Sequence, residues 1–140
     1  MISTAGWVLD ASVAVKLLVE EQGSDAALGL LGARLLAPDI LPVECANVLW
    51  RMHRRGQLSG EAAALRLQRL SALRLEMSPS QALLAGALAR AMRLSHPIYD
   101  CLYLETAARA GLPLVTADRK LAALAGEGAQ VVMLSDLPPA

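Results

Sequence analysis

The sequence of 140 residues predicts an α/β fold in which helices cover both faces of a parallel β-sheet. Short apolar segments alternate with longer segments whose apolar residues recur at helical spacing, as expected when strands and helices alternate along a chain. The length suits one domain, and no internal repeat, low-complexity tract or linker interrupts it. We therefore expect a single domain over residues 1–140.

The first third of the chain has clear start and stop signals for helices. Ser24 has the residue type of an N-cap, and Gly32 follows the last apolar residue of that segment. Pro42 suits the first position of a helix, and Gly56 suits its C-terminal stop. The predicted elements are a strand at residues 7–9, helices at 12–19 and 24–31, a strand at 35–37 and a helix at 42–55.

The remaining segments continue the alternation of strands and helices. Ser59 and the Ser78-Pro79 pair each open a helix, and a further helix begins at Ser95-His96-Pro97 and stops at Gly111. The predicted elements are a helix at residues 59–73, a strand at 75–77, helices at 78–94 and 95–110, a strand at 114–116, a helix at 119–124 and a strand at 131–134.

The composition excludes some classes of protein and leaves others open. The formal net charge is zero, so no global basic signal for nucleic acid is present, although many of the Arg residues fall between Arg51 and Arg93. Hydrophobic residues make up 55% and aromatic residues 3%, so Leu, Ala and Val must build the core. The apolar excess is explained equally by a surface buried against a partner and by Ala-rich helices.

Two cysteines, Cys45 and Cys101, show no metal-binding spacing and are expected to fill the core of a protein in a reducing cytosol. No apolar run reaches the roughly 18 residues that a membrane span needs. The N-terminal segment lacks a basic region and has Asp10 within its apolar stretch, which argues against a signal peptide. We expect a cytoplasmic protein without a membrane partner.

Four acids occupy similar local positions, where an apolar strand or a proline gives way to a helix. Any one of them alone is explained by helix capping or by the helix dipole. In open parallel sheets, however, ligands bind beyond the carboxyl ends of the strands, and all four positions fall on that edge if the connections are short and right-handed. The acids are Asp10, Glu44, Asp100 and Asp118.

If these carboxylates converge, their repulsion must be neutralised by protons or by a cation. Two unit charges about 4 Å apart cost roughly 4 kcal/mol at an effective dielectric of 20. A site built of oxygen ligands favours Mg²⁺ or Mn²⁺ over zinc, and neither His53 nor His96 has a spacing that suits a ligand. We expect both histidines to be surface or capping residues.

The residues around the acids resemble the PIN-domain nucleases, and especially the VapC-like toxins of toxin–antitoxin pairs. The resemblance runs nearly end to end, and the order and separation of its four segments make it specific. These segments are Val8-Leu9-Asp10-Ala11-Ser12, Pro42-Val43-Glu44-Cys45-Ala46-Asn47-Val48-Leu49, Tyr99-Asp100-Cys101-Leu102-Tyr103 and Val115-Thr116-Ala117-Asp118.

The resemblance implies a three-layer fold with sheet order 3-2-1-4-5 and endonucleolytic cleavage of RNA by a divalent metal held by the four acids. It matches Ser12 and Thr116 to polar positions that line the site, and Asn47 lies one helical turn after Glu44, where it could orient that side chain. Many relatives carry a further acid about one turn after the fourth, where this chain has Leu121 and Ala122. Whether the site holds one or two metal ions therefore remains open.

Two kinds of partner follow from the resemblance and the apolar excess, namely a second copy of the chain and a small antitoxin protein. We expect the antitoxin groove among the helices at residues 12–19, 26–31 and 43–55. Candidate RNA contacts are Arg51, Arg54, Arg55 and Arg119, with a solvated helix face as the simpler explanation. A PIN-fold binding module without catalysis and an RNA-maturation nuclease remain alternatives to a toxin.

Overall fold

The computed structural model describes residues 4–126 and 128–140, and a parallel sheet lies at the centre of this part of the chain. Its strands are β1 (Gly6–Leu9), β2 (Arg34–Pro38), β3 (Glu76–Ser78), β4 (Leu114–Thr116) and β5 (Val131–Met133). They stand in the order β3-β2-β1-β4-β5, and each neighbouring pair is parallel. The expected sheet order is confirmed.

Helices surround the sheet, as the α/β interpretation requires. They are α1 (Ala11–Leu18), α2 (Ser24–Leu28), α3 (Leu41–Arg54), α4 (Gly60–Gln68), α5 (Ser80–Leu94), α6 (Ile98–Ala110) and α7 (Arg119–Ala122). Two short 3₁₀ helices at residues 69–73 and 134–136 complete the set in the described part of the chain. Among the described residues, no helix has both the length and the apolar character needed to cross a membrane.

The helices expected at 78–94 and 95–110 begin later, at Ser80 and Ile98, and three other predicted helices end early. The helix expected to reach Leu31 stops at Leu28, because Leu30 leaves the helical path to pack in the core, where it is 4% exposed. Ser24 is not the N-cap of that helix, since its hydroxyl accepts the N–H of Glu21 and donates to a carbonyl of the preceding turn. The helix expected at 59–73 changes to a 3₁₀ helix after residue 68, and α7 ends at residue 122.

The core lies between the sheet and its covering helices. All of β1 and β4 is buried, and α6 packs against β1, β2 and β4 while α1 packs against α2, α3 and β4. Cys45 and Cys101 are both fully buried, so the prediction that they fill the core is confirmed. Burial raises the pKa of Cys45 to about 12, which keeps its thiol protonated.

Candidate active site

The site begins at Asp10, which directly follows β1 and is held beside the end of β4. Ser12 Oγ and Thr116 Oγ1 both donate hydrogen bonds to Asp10 Oδ2, at 2.5 and 2.8 Å. The two hydroxyls also accept backbone N–H groups, Ser12 from Ala117 and Thr116 from Asp118, at 3.0 Å each. Both predicted polar residues therefore lie at the site, where they hold the first acid and shape the loop that carries the fourth.

Asp10 is a buried acid, with 7% of its surface exposed. Burial raises its pKa, the hydrogen bonds from Ser12 and Thr116 lower it, and the charge of Asp100 raises it further, so that the net direction is upward. A cation in the cavity would reverse this, because a nearby positive charge favours the ionised carboxylate.

Glu44 lies in the first turn of α3, after Pro42, and its carboxylate reaches toward α6. There the hydroxyl of Tyr103 donates a 2.6 Å hydrogen bond to Glu44 Oε1. Burial raises the pKa of Glu44, the Tyr103 hydroxyl lowers it, and the charges of Asp10 and Asp100 raise it. The charges of Asp10, Glu44 and Asp100 therefore interact within the site.

Asp100 stands in the first turn of α6 and pairs with a histidine that precedes the helix. His96 precedes Asp100 by four residues in the chain, and its Nε2 lies 2.6 Å from Asp100 Oδ2. Ser95, whose φ of 50° is in the left-handed region, ends α5 just before this histidine. His96, expected as a surface or capping residue, is partly exposed before α6, and its ring also contacts one of the predicted acids.

Asp118 follows β4 and serves as the N-cap of α7, where its Oδ1 accepts the N–H of Lys120 at 2.9 Å. One cavity of about 480 Å³ is lined by all four acids, together with Ser12, Asn47, Arg51 and Tyr99. The structure therefore brings the four predicted acids to one cavity at the carboxyl ends of β1 and β4.

The carboxylates share the cavity without forming a compact cluster. Among residues 4–126 and 128–140, no group of three or more His, Cys, Asp or Glu side chains is arranged to hold a metal ion. Each acid is instead hydrogen-bonded within the protein at one oxygen, namely Oδ2 of Asp10, Oε1 of Glu44, Oδ2 of Asp100 and Oδ1 of Asp118.

The chemistry of the donors nevertheless fits a hard divalent cation. The four acids offer only oxygen atoms to the cavity, which suits Mg²⁺ or Mn²⁺. Leu121, which lies about one turn after the fourth acid, is fully buried in the core. The cavity therefore receives no carboxylate from that turn.

The predicted arginines separate into different places. Arg51 lines the acidic cavity, and Arg119 lines a neighbouring cavity of about 330 Å³ with Lys16. Arg54 lies over the ring of the half-exposed Trp50, 5.5 Å from its centroid, and Arg55 is the exposed C-cap of α3. Arg51 is therefore the member of the predicted set best placed to meet a substrate beside the acids.

An ion-pair cluster fixes α5 against α6, the helix that carries Asp100. Glu105 on α6 accepts hydrogen bonds from Arg90 at 2.8 Å and from Arg109 at 3.0 Å. Burial raises the pKa of Glu105, but the two arginines outweigh it and the net direction is downward. Arg109 also donates to the carbonyl of Ala82, which ties the far end of α6 to the start of α5.

Sequence reasoning missed two residues of the site, His96 and Tyr103. The spacing of four residues between His96 and Asp100 was a usable signal, because side chains so separated are neighbours at a helix start. Tyr103 gave no such signal toward Glu44, since 59 residues separate the two. Asn47 lines the cavity as expected, but the Glu44 carboxylate takes its hydrogen bond from Tyr103.

Comparison with known proteins identifies the family to which this chain is similar. A family model described as "PIN domain" matches residues 7–127, which is most of the chain. A Pyrobaculum aerophilum protein named "Ribonuclease VapC3" is 33% identical over 119 residues, covering 82% of this chain and 91% of that protein.

Two solved structures share the fold. A crystal structure of a Pyrobaculum aerophilum protein is 26% identical, covers 94% of this chain and 92% of that one, and has a TM-score of 0.72. A toxin–antitoxin complex from Klebsiella pneumoniae is 18% identical, covers 92% of this chain and 98% of that one, and has a TM-score of 0.66. The second likeness concerns the fold alone.

Proposed function

The chain belongs to the PIN domain family, and on that premise we propose that it is a Mg²⁺- or Mn²⁺-dependent endoribonuclease that acts as the toxin of a toxin–antitoxin pair. The observation that carries the proposal is the shared cavity of Asp10, Glu44, Asp100 and Asp118. The relative named Ribonuclease VapC3 supports RNA as the substrate.

In this proposal the four acids hold the cation, and the other residues of the cavity organise them. When bound, the metal would activate a water and neutralise charge on the cleaved phosphate. Ser12 and Thr116 keep Asp10 in place through its Oδ2, and His96 does the same for Asp100. Arg51 provides a positive charge at the cavity, where an RNA phosphate would bind.

An antitoxin is the partner we propose for exposed apolar side chains of α2, its following turn and α3, of which Val43 lines the acidic cavity. Large apolar side chains of α2 and its following turn, Leu28 and Leu31, are 47% and 43% exposed, and Val43 on α3 is 71% exposed. Helix α1 packs against both α2 and α3, and the three side chains fall within residues 26–31 and 43–55, where the groove was expected. A protein of the same fold from Klebsiella pneumoniae is found in a toxin–antitoxin complex, which is the reason for proposing an antitoxin as the partner.

A homodimer is the second assembly we propose, through the exposed side of α5. Leu84, Leu88 and Met92 recur every fourth residue on this helix and are 45%, 50% and 69% exposed. Exposed apolar stripes of this kind mark interaction surfaces. Light scattering of the purified chain, compared with a Leu88→Lys variant, measures this directly: a monomeric mass for the unaltered chain removes the dimer from the proposal.

Cleavage of structured RNA with and without Mg²⁺ tests the nuclease. We expect cleavage that EDTA stops, that Mg²⁺ or Mn²⁺ restores, and that Asp100→Asn loses. Asp39→Asn is the matched control, because Asp39 is an acid outside the cavity whose carboxylate accepts from the N–H and hydroxyl of Ser80. Equal cleavage by the wild type and Asp100→Asn would contradict the proposed nuclease activity.

The same variants distinguish the alternatives in cells. A toxin should slow growth when expressed alone and be relieved by an adjacent small gene, with RNA ends that depend on Asp100. A PIN-fold binding module without catalysis would bind RNA but produce no new ends. A maturation nuclease would produce defined ends in ribosomal RNA without slowing growth.

A further inference from the structure

The carboxylate of Glu44 has a buried partner that belongs to neither its own helix nor the cavity wall. Tyr103 lies on α6, is fully buried, and donates its hydroxyl to Glu44 Oε1 at 2.6 Å. Its hydroxyl thus crosses from α6 to the first turn of α3. This bond joins the two helices at the site, which are far apart in sequence.

The placement of Tyr103 couples two acids through one helix. Asp100 and Tyr103 are three residues apart on α6, so they share a face of that helix. This face of α6 therefore contributes Asp100 to the cavity and, through Tyr103, also holds Glu44 of α3. Any movement of α6 relative to α3 would disturb both acids together.

A glutamate has three side-chain torsions, and without a fixed partner its carboxylate samples several positions. Tyr103 restricts it, because a fully buried ring on a packed helix has little freedom of its own. The bond occupies one acceptor site of Oε1, so the remaining lone pairs of the carboxylate are free to meet a cation. Partners of this kind orient the ligands of metal sites in proteins.

We propose that Tyr103 is a positioning residue that orients Glu44 for the divalent cation. The inference rests on the proposed function, since it assigns a role toward the metal of that site. If Tyr103 had a purely structural role, its removal would lower stability and leave the metal affinity unchanged. A positioning role predicts that the metal affinity falls.

Direct Mn²⁺ binding by Tyr103→Phe tests the proposal, with Thr106→Val as the matched control. Thr106 is also a buried hydroxyl residue on α6, but it donates to the carbonyl of Leu102 instead of to the site. We expect calorimetry to show Mn²⁺ affinity lowered about 10- to 100-fold in Tyr103→Phe, the usual effect of removing an outer-sphere partner. Thr106→Val should keep the wild-type affinity.

A double variant separates the role through Glu44 from a general effect. In a Glu44→Ala background, adding Tyr103→Phe should lower the Mn²⁺ affinity no further, because the side chain that Tyr103 orients is gone. Wild-type affinity in Tyr103→Phe, or an equal loss in Thr106→Val, would overturn the proposal. Failure of the wild-type chain itself to bind Mn²⁺ and cleave RNA would instead overturn the proposed function.

A measurement on the intact tyrosine covers the case in which Tyr103→Phe does not fold. The chain has two tyrosines, so 3-fluorotyrosine gives two ¹⁹F resonances, and Tyr99→Phe assigns them. We expect the Tyr103 resonance to shift on addition of Mg²⁺, with a midpoint equal to the calorimetric dissociation constant. A Tyr103 resonance that stays fixed while Mg²⁺ binds contradicts the proposal.

Discussion

Thr116 Oγ1 donates a 2.8 Å hydrogen bond to Asp10 Oδ2 and thereby joins the ends of two neighbouring parallel strands, β4 and β1. The bond holds a buried carboxylate that lines the acidic cavity. Both hydroxyl partners of Asp10 share the same oxygen, so an Asn side chain can accept both bonds through its own Oδ1.

Asp10→Asn should therefore fold normally, lose RNA cleavage, and be more stable than the wild type at neutral pH without metal. The pKa of Asp10 is raised in the folded chain, so the folded state binds more protons than the unfolded state above the unfolded value of 3.8. The free energy of unfolding then falls as pH rises from that value through the raised pKa. Thermal unfolding between pH 4 and 8 in EDTA should show this fall in the wild type and a weaker one in the variant.

Asp39→Asn is the control for that experiment, and its change in the free energy of unfolding at neutral pH should have the opposite sign to that of Asp10→Asn. The side-chain and backbone hydrogen bonds from Ser80 hold the pKa of Asp39 below its usual value. Its ionised form stabilises the fold above the unfolded pKa, and this contribution is lost as pH falls through the lowered value. The variant should be slightly less stable than the wild type at neutral pH. A gain of stability in Asp39→Asn equal to that in Asp10→Asn would show that the effect is not specific to the cavity.

Mg²⁺ should stabilise the wild type and have little effect on Asp10→Asn. A ligand that binds only the folded state at 100 times its dissociation constant adds about 2.7 kcal/mol to the free energy of unfolding. Differential scanning calorimetry at neutral pH with increasing Mg²⁺ measures this as a rise in Tm. A Tm that rises equally in both proteins places the cation elsewhere on the chain.

Gly86→Ala should destabilise the fold by about 1–3 kcal/mol, the usual cost of overpacking. A Cβ at position 86 on α5 would clash with the Glu105 carboxylate, which cannot easily withdraw because Arg90 and Arg109 hold it. Gly60→Ala on α4 is the matched control. The nearest atom to its new Cβ is a ring carbon of His53 at 3.9 Å, so that the helix propensity of Ala should leave stability unchanged or raise it.

Denaturant unfolding of the two glycine variants gives both free energies. If Gly86→Ala is as stable as Gly60→Ala, the ion-pair cluster does not fix α5 against α6. In that case the position of Asp100 would depend on the apolar contacts of α6 alone.

Arg51→Ala should weaken RNA binding and reduce its salt dependence, whereas Arg55→Ala should change both less. Arg51 lines the acidic cavity, and Arg55 is the exposed C-cap of α3. Removing one phosphate contact lowers the slope of log K against log salt by about 0.7 for single-stranded nucleic acid. Binding to the inactive Asp100→Asn protein, measured between low and high salt, avoids cleavage during the titration. Equal slopes in both arginine variants would favour a solvated helix face.

Much of the fold could be predicted because local signals and the global pattern agree. The apolar strand at Trp7–Leu9, the helix that follows Pro42 and the helix stop at Gly111 are all found close to their predicted places. The errors fall where tertiary packing competes with local propensity, as at Leu30, which leaves the helical path to enter the core. Local spacing cannot register such competition.

The sequence does not show which of its positive charges are buried. Arg90 falls in the arginine-rich stretch between Arg51 and Arg93, but it is 7% exposed and pairs with Glu105. A count of positive charges along a helix does not show which of them face another helix. The pairing depends on the closeness of α5 and α6, which Gly86 permits.

The sequence alone determined which acids belong together and on which edge of the sheet they lie, because parallel strands bring their carboxyl ends to one side whatever the loops do. The tertiary structure decided what each carboxylate contacts. Tyr103 and His96 reach Glu44 and Asp100 only after α6 has packed beside α3 and the turn at Ser95 has formed. Hydrogen-bond partners depend on distances of a few tenths of an ångström between separate elements, and periodicity along one chain carries no such information.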